Sequence, residues 1–182
     1  WDIKGKMANM PVYQMLGGKV REGADVYRHA DGKTIDEVEE NVQKFLDQGY
    51  RYIRVQLGGY GGAPSQQNIV KPDGAPEGRY FNPKAYMDAQ LEMFKHLDAD
   101  FAGKNVMFMH DIHERLPFNM ALRMAKELEP YNMFFLEDAL PPEQPEWFAK
   151  IREQCTTPIA MGELFNHPLE WRYLVTNRLI DY

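Results

Sequence analysis

Three apolar stretches of this 182-residue chain each end in an acidic side chain. The acids are Asp111, Glu137 and Glu163, and 26 residues separate each one from the next. That interval accommodates one strand, one helix and their two loops. We therefore expect three successive βα units, each with a carboxylate at the carboxyl tip of its strand, where (β/α) barrels place their chemistry.

Carboxylates that converge on one barrel mouth repel one another unless a cation lies between them. Because carboxylate oxygens are ligands for hard ions, Asp111, Glu137 and Glu163 predict Mg2+ rather than Zn2+. The alternative is that they are solvated acids at strand ends. His113 follows Asp111 by two residues, which predicts the same strand face for both side chains. It is a fourth ligand or a general base, and we favour the base because three carboxylates are already present.

A predicted strand from Tyr50 to Leu57 places an arginine inside the barrel. Its alternating apolar side chains would pack on the helices, which leaves Tyr52, Arg54 and Gln56 on the inner face. A buried cation is costly unless an anion meets it. Arg54 is therefore either a structural residue paired with a carboxylate of a neighbouring strand, or a cation that meets an acidic substrate.

Two histidines belong to predicted strands. His29 ends a candidate strand that begins at Ala24, and the sequence supports a substrate contact and a structural role equally. His110 precedes Asp111 and therefore faces the helices, so we interpret it as a structural histidine with satisfied hydrogen bonds.

Residues 58–80 form a long stretch without periodicity, rich in Gly, Pro, Asn and Gln. A loop of this length inside a compact domain is usually functional or disordered. Because it follows a strand tip, we interpret it as a lid or a substrate-contacting loop. Its aromatic residues Tyr60 and Tyr80 either take part in the function or anchor the loop.

Helical and strand patterns alternate along the chain. Helices are predicted over residues 1–16, 34–49, 82–97 and 119–128 and again from Pro145 and from Pro168, and residues 179–182 resemble the start of a sixth strand. Right-handed crossovers then imply a parallel sheet with helices outside. We predict one α/β domain, residues 1–182, that is a partial (β/α)8 TIM-type barrel with about five of eight βα units, since a complete barrel takes roughly 250 residues.

Composition excludes several classes of protein. The net charge of -6 and the pI near 5.4 argue against nucleic acid as a partner. No apolar segment approaches the roughly 20 residues that span a bilayer, so we expect no membrane partner. Cys155 is the only cysteine, which excludes an internal disulfide and fits a cytoplasmic protein. We expect it to be a buried helix residue rather than a reactive thiol.

The motifs resemble one family over essentially the whole chain. Leu-Glu-Asp at 136–138 and Gly-Glu at 162–163 are similar to the three-carboxylate barrel of the enolase superfamily. Within it, Val-Tyr-Arg-His at 26–29, Arg-Val-Gln at 54–56 and Asp-Ile-His at 111–113 resemble the mannonate dehydratase family. The resemblance implies an Mg2+-dependent hydro-lyase that converts an acid sugar such as D-mannonate or D-gluconate into its 2-keto-3-deoxy acid and water.

The resemblance also implies roles for individual residues. Asp111, Glu137 and Glu163 would bind Mg2+, and Glu163 would also contact the substrate. His113 would deliver a proton as hydroxide leaves, and His29 would touch the substrate.

Arg54 would set the pKa of a catalytic tyrosine in the following loop. The family places that tyrosine at the position of Gln66, and Tyr60 is the residue that could replace it. The family also has an N-terminal capping domain and three further barrel strands, and the resemblance implies a homo-oligomer of the full-length protein. Two alternatives stay open, a catalytically weak metabolite-binding or regulatory relative and a structural fragment that is inactive in isolation.

Overall fold

A computed structural model describes residues 1–58, 73–77 and 81–182. The described residues contain a five-stranded parallel sheet in which each strand lies beside its predecessor. The strands are β1 (Arg28–Gly32), β2 (Tyr52–Leu57), β3 (Met107–Asp111), β4 (Phe135–Glu137) and β5 (Ile159–Ala160). The helices are α1 (Asp2–Met7), α2 (Val12–Met15), α3 (Ile35–Asp47), α4 (Pro83–Phe101), α5 (Phe118–Glu127), α6 (Pro145–Arg152) and α7 (Pro168–Thr176). This sequential order confirms the barrel-type α/β fold and excludes a doubly wound sheet, whose strand order reverses.

The N-terminal region differs from the single helix that we predicted over residues 1–16. Asn9 has a left-handed backbone with φ of 49°, and Met10 donates its N–H to the Gly5 carbonyl at 2.9 Å. This geometry ends α1, and Pro11 then precedes α2 in an extended conformation. The apolar spacing is helical throughout, but a left-handed residue followed by proline divides it into two helices.

The first strand was predicted four residues too early. We placed it at residues 24–29, whereas β1 runs from Arg28 to Gly32. Its position follows from pairing, since Arg28 lies opposite Ile53 and Gly32 opposite Leu57. Ala30 is thereby fully buried on the helical side of the sheet, which a local pattern of residues 24–29 did not reveal.

The hydrophobic core lies between the sheet and the helices. Thr34 caps α3 by accepting a hydrogen bond from the Glu37 N–H, as predicted, and the Glu37 carboxylate accepts from the Lys33 N–H. The buried core side chains of the helices include Val38, Phe94 and Met124. In the described part of the chain, no helix has both the length and the apolarity needed to cross a membrane.

The inner face of the sheet changes character along the strands. At its amino end, the ring of Phe134 lies 4.8 Å from the ring of Tyr52 and 4.8 Å from that of Tyr182. At its carboxyl end the inward residues are polar and include Arg54 and Asp111. Aromatic side chains therefore fill the amino end of the inner face, and charged side chains lie at its carboxyl end.

The last four residues continue the sheet through hydrogen bonds. The N–H groups of Asp181 and Tyr182 both donate to the Ile159 carbonyl, at 2.8 and 3.2 Å, and Met161 donates to the Tyr182 carbonyl. The Asp181 carboxylate also accepts from the Ile159 N–H at 2.9 Å. These bonds agree with the strand-like pattern that the sequence shows over residues 179–182.

Candidate active site at the carboxyl ends of the strands

Two of the predicted metal ligands lie side by side at the strand tips. Asp111 ends β3 and Glu137 ends β4, and the two residues are paired in the parallel register. Neighbouring strands lie roughly 4.8 Å apart, so the two carboxylates share one edge of the barrel. The Ile112 N–H donates to the Glu137 carbonyl at 3.0 Å and holds the two tips together. Glu163 follows β5 by three residues and rises from the same edge.

Arg54 meets an anion, as its burial requires. Its side chain is almost fully buried, and its Nη1 donates to Asp111 Oδ2 at 3.1 Å. Its Nη2 lies 3.8 Å from Asp31 Oδ1 on β1. The first of the two alternatives for Arg54 is therefore present, because a carboxylate of a neighbouring strand pairs with it. The same contact fixes the orientation of Asp111 at the mouth.

His113 reaches the mouth by a different route from the one that we predicted. The strand ends at Asp111, and His113 and Glu114 both have left-handed backbones, with φ of 52° and 58°. Such conformations are uncommon for residues other than glycine and often occur at functional sites. The Glu114 N–H donates to the Asp138 carbonyl at 2.9 Å and holds this turn. His113 Nε2 thus comes to lie 3.9 Å from Glu163 Oε1.

Asp138 is a site residue to which the sequence analysis assigned no role. It follows Glu137 in a left-handed conformation with φ of 45°, and its side chain is fully buried. One ligand atom each of His113, Asp138 and Glu163 lies within 4.8 Å of the other two. The acidic pair at residues 137–138 was visible in the sequence, but strand alternation alone would have turned the second acid away from the mouth.

The electrostatics of the mouth favour a bound cation. Burial raises the pKa of Asp111 and of Glu137, and the charge of Asp111 raises the pKa of Glu137 further. Burial, together with the charges of Asp111 and Glu137, raises the pKa of Asp138 to about 7. Within the described residues, Asp111 Oδ1, Glu137 Oε2 and both Asp138 oxygens are buried without a hydrogen-bond partner. Buried, unpaired carboxylate oxygens of this kind fit a hard divalent ion.

His29 lies at the rim of the site. It is exposed, it pairs in register with Arg54, and its ring lies 5.3 Å from the ring of Tyr27. Its ring is nevertheless partly desolvated by its neighbours, and this partial burial, followed by the charge of Arg54, lowers its pKa below the ordinary value. A neutral imidazole here could donate or accept a hydrogen bond. Tyr60, Tyr80 and Gln66 lie outside the described residues.

His110 is the structural histidine that we predicted. It is fully buried, its Nδ1 donates to the Val55 carbonyl at 2.8 Å, and its Nε2 accepts from the Tyr86 hydroxyl at 2.9 Å. Burial lowers its pKa to about 3. The neutral ring therefore ties β3 to β2 and to α4, immediately behind Asp111.

This arrangement defines a class of protein. A parallel sheet with sequential strands, outer helices and acidic strand tips is the architecture of (β/α) barrel enzymes, which act at the carboxyl face. The chain belongs to the enolase C-terminal domain-like family, whose sequence model matches residues 37–182.

Relatives of known sequence or structure agree with this assignment. The chain is 50% identical over 184 residues to a D-galactonate dehydratase family member of Enterocloster bolteae, covering 100% of this chain and 45% of that protein. It is 49% identical over 182 residues to another such family member, from Enterococcus gallinarum, covering 100% of this chain and 44% of the relative.

A solved structure also matches. It is the crystal structure of an enolase from Pantoea ananatis with bound D-gluconate and Mg, at a TM-score of 0.87 and 45% identity, covering 100% of this chain and 47% of that one. The chain thus spans about half the length of the relatives that it matches. These relatives support the assignment to the enolase superfamily, and their descriptions do not single out mannonate.

Proposed function

We propose that this chain forms the metal-binding part of an Mg2+-dependent acid-sugar dehydratase. The observation that carries the proposal is the pairing of Asp111 with Glu137 at the mouth, with unpaired, buried carboxylate oxygens on both. The enolase from Pantoea ananatis, which is 45% identical, contains bound D-gluconate and Mg, and this supports Mg2+ and an aldonate as the species that bind here. The reaction would convert an aldonate into its 2-keto-3-deoxy acid and water.

Asp111, Glu137 and Glu163 would hold the metal ion, and Asp138 lies close enough to assist. When bound, Mg2+ would draw electron density from the substrate carboxylate and so acidify the neighbouring C2 proton. Arg54 would keep the Oδ2 oxygen of Asp111 engaged and leave Oδ1, which has no hydrogen-bond partner, available as a ligand.

His113 would act as the acid that assists loss of the C3 hydroxyl. Its left-handed turn brings its Nε2 to 3.9 Å from Glu163 Oε1, one of the proposed metal ligands. His29 would contact the substrate from the opposite rim, and Glu163 would also touch it. By the resemblance, we propose that Tyr60 removes the C2 proton and that Arg54 lowers the pKa of the Tyr60 phenol.

The substrate is proposed as an aldonate of the D-mannonate or D-gluconate type. The metal site and His113 recognise the carboxylate and the first two hydroxyl-bearing carbons, which all aldonates share. D-mannonate and D-gluconate differ in configuration at C2, so the choice between them depends on the side from which the base removes the C2 proton, whereas D-galactonate differs from D-gluconate at C4 and is distinguished by residues that contact the more distant hydroxyls. We also propose that the full-length protein is a homo-oligomer.

The test uses the full-length protein with D-mannonate, D-gluconate and D-galactonate, and measures the 2-keto-3-deoxy product with and without Mg2+. We expect turnover of at least one aldonate that requires the metal. Glu137→Gln should reduce it by at least about a hundredfold, whereas Glu143→Gln, an exposed acid in the next loop, should not. Undiminished Mg2+-dependent dehydration by Glu137→Gln would refute the proposal.

A metabolite-binding relative with weak chemistry is the second candidate. It is favoured by one feature of the sequence, that Gln66 stands where the resemblance to the mannonate dehydratase family implies a loop tyrosine. Exchange of the C2 proton for deuterium separates the two candidates. A dehydratase incorporates deuterium or forms product in D2O, whereas a binder shows aldonate affinity by calorimetry without either.

A further inference from the structure

A second cluster of metal-ligating side chains lies on the helical side of the sheet, away from the mouth. Glu39 is on α3, and His96 and Asp100 are one turn apart on α4. One ligand atom from each residue lies within 4.8 Å of the other two. We call these three residues the α3–α4 cluster. It shares no residue with the candidate active site.

The carboxylates of Glu39 and Asp100 converge on one ring nitrogen of His96. His96 Nε2 lies 2.8 Å from Glu39 Oε2 and 2.9 Å from Asp100 Oδ2. A ring nitrogen carries a single hydrogen, which cannot point well at two acceptors at once. The imidazole can therefore form a well-aligned hydrogen bond with only one of the two carboxylates at a time, whereas a metal ion between the three atoms would contact all of them.

The cluster also carries negative charge that no fixed cation balances. Within the described residues, neither Glu39 nor Asp100 forms an ion pair with a lysine or an arginine. Asp36 adds a further acid one turn before Glu39 on α3. The three side chains sum to -1 when His96 is protonated and to -2 when it is neutral. This surplus of negative charge on the three side chains favours a bound cation.

The donor set distinguishes this cluster from the mouth. An imidazole with two carboxylates suits Zn2+ and its neighbours in the transition series, whereas Mg2+ prefers oxygen alone. Tetrahedral zinc with bonds of roughly 2.0–2.2 Å separates its ligand atoms by about 3.4 Å. The observed nitrogen-to-oxygen distances need to open by only about half an ångström, and all three side chains are more than one third exposed and free to adjust.

We propose that Glu39, His96 and Asp100 form a structural site for a divalent ion of the zinc class, with water as the remaining ligand. Because its ligands come from two helices, the ion would join α3 to α4 on the outside of the barrel. It would stabilise the fold and would not enter the reaction at the mouth.

The test is Zn2+ binding to the full chain by calorimetry, with excess Mg2+ present to occupy the mouth. We expect one Zn2+ per chain and an increase in melting temperature. His96→Gln and Asp100→Asn should each weaken binding by more than about tenfold. Asp98→Asn removes an exposed acid from the same helix and should leave binding unchanged.

Cobalt provides a second readout that does not depend on stability. Co2+ at this site should give visible absorption typical of a nitrogen and oxygen ligand field, lost in His96→Gln and kept in Glu137→Gln. No zinc binding at all, or binding that His96→Gln leaves unchanged, would overturn the proposal. Zinc binding that Glu137→Gln abolishes would assign the ion to the mouth and would overturn it equally.

Discussion

The buried pair between Arg54 and Asp111 links the architecture of the site to its chemistry. Arg54 needs an anion because it lies inside the barrel, and Asp111 needs a cation because burial raises its pKa. Each residue thus satisfies the other across two strands at 3.1 Å. Arg54 links β2 to β3 through this ion pair, and Asp111 keeps its second oxygen available for a metal ion.

Replacing Arg54 by Met should destabilise the chain by about 3 kcal/mol, since it leaves a buried carboxylate without its partner. Adding Asp111→Asn should recover part of that loss. We expect the double variant to be more stable than the sum of the single variants by about 1 kcal/mol or more. Urea unfolding of the four proteins measures this coupling, and strict additivity would contradict it.

Cys155 is a structural thiol, although not where we placed it. It lies after the end of α6, not within a helix, and it is 6% exposed. Burial raises its pKa above the ordinary value. A raised pKa leaves less thiolate at any given pH. Alkylation by iodoacetamide at pH 8 should therefore be more than about tenfold slower than in urea-unfolded chain, with its pH midpoint displaced upward. Equal rates would refute this.

At the scale of elements, close packing at the corner between β1 and α3 explains why residue 32 is a glycine. A Cβ atom on Gly32 would lie 2.8 Å from both Glu37 Cβ and the Val38 backbone nitrogen. The corner is short because Thr34 already caps α3. Strand β1 and helix α3 therefore lie closer together at Gly32 than any residue with a Cβ atom would allow.

Gly32→Ala should consequently destabilise the fold by about 1–3 kcal/mol through overpacking. Gly23→Ala is the matched control, since a Cβ there meets nothing within 4 Å. Thermal or urea unfolding of both variants measures the difference. Equal free energies of unfolding for the two variants would contradict the close packing of β1 against α3 at Gly32.

Elements with their own local signals were predictable from sequence. The capping residue Thr34 and the periodic stripe of α5 placed those helices within about two residues. The position of β1 was not predictable, because pairing with β2 sets it rather than its own alternation. Likewise, left-handed residues at His113 and Asp138 direct two side chains of the mouth, and a pattern of period two contains no sign of them.

At the scale of the whole molecule, the chain spans about half the length of its relatives and yet contains every predicted metal ligand. Asp111, Glu137 and Glu163 come from consecutive strands, so their relative positions depend on local βα geometry. His29 and Arg54 join them from the two strands before. The sequence predicted this grouping because the strands follow one another in space in the same order as in the chain.

The most direct measurement of the central claim is a thermal melt of this chain with and without millimolar Mg2+, in parallel with Glu137→Gln and His96→Gln. A ligand at a hundredfold excess over its dissociation constant stabilises the native state by roughly 2.7 kcal/mol. We predict an upward shift for the parent chain and for His96→Gln, and none for Glu137→Gln. No shift in the parent, or an equal shift in Glu137→Gln, would contradict a magnesium site built by the paired tips of β3 and β4.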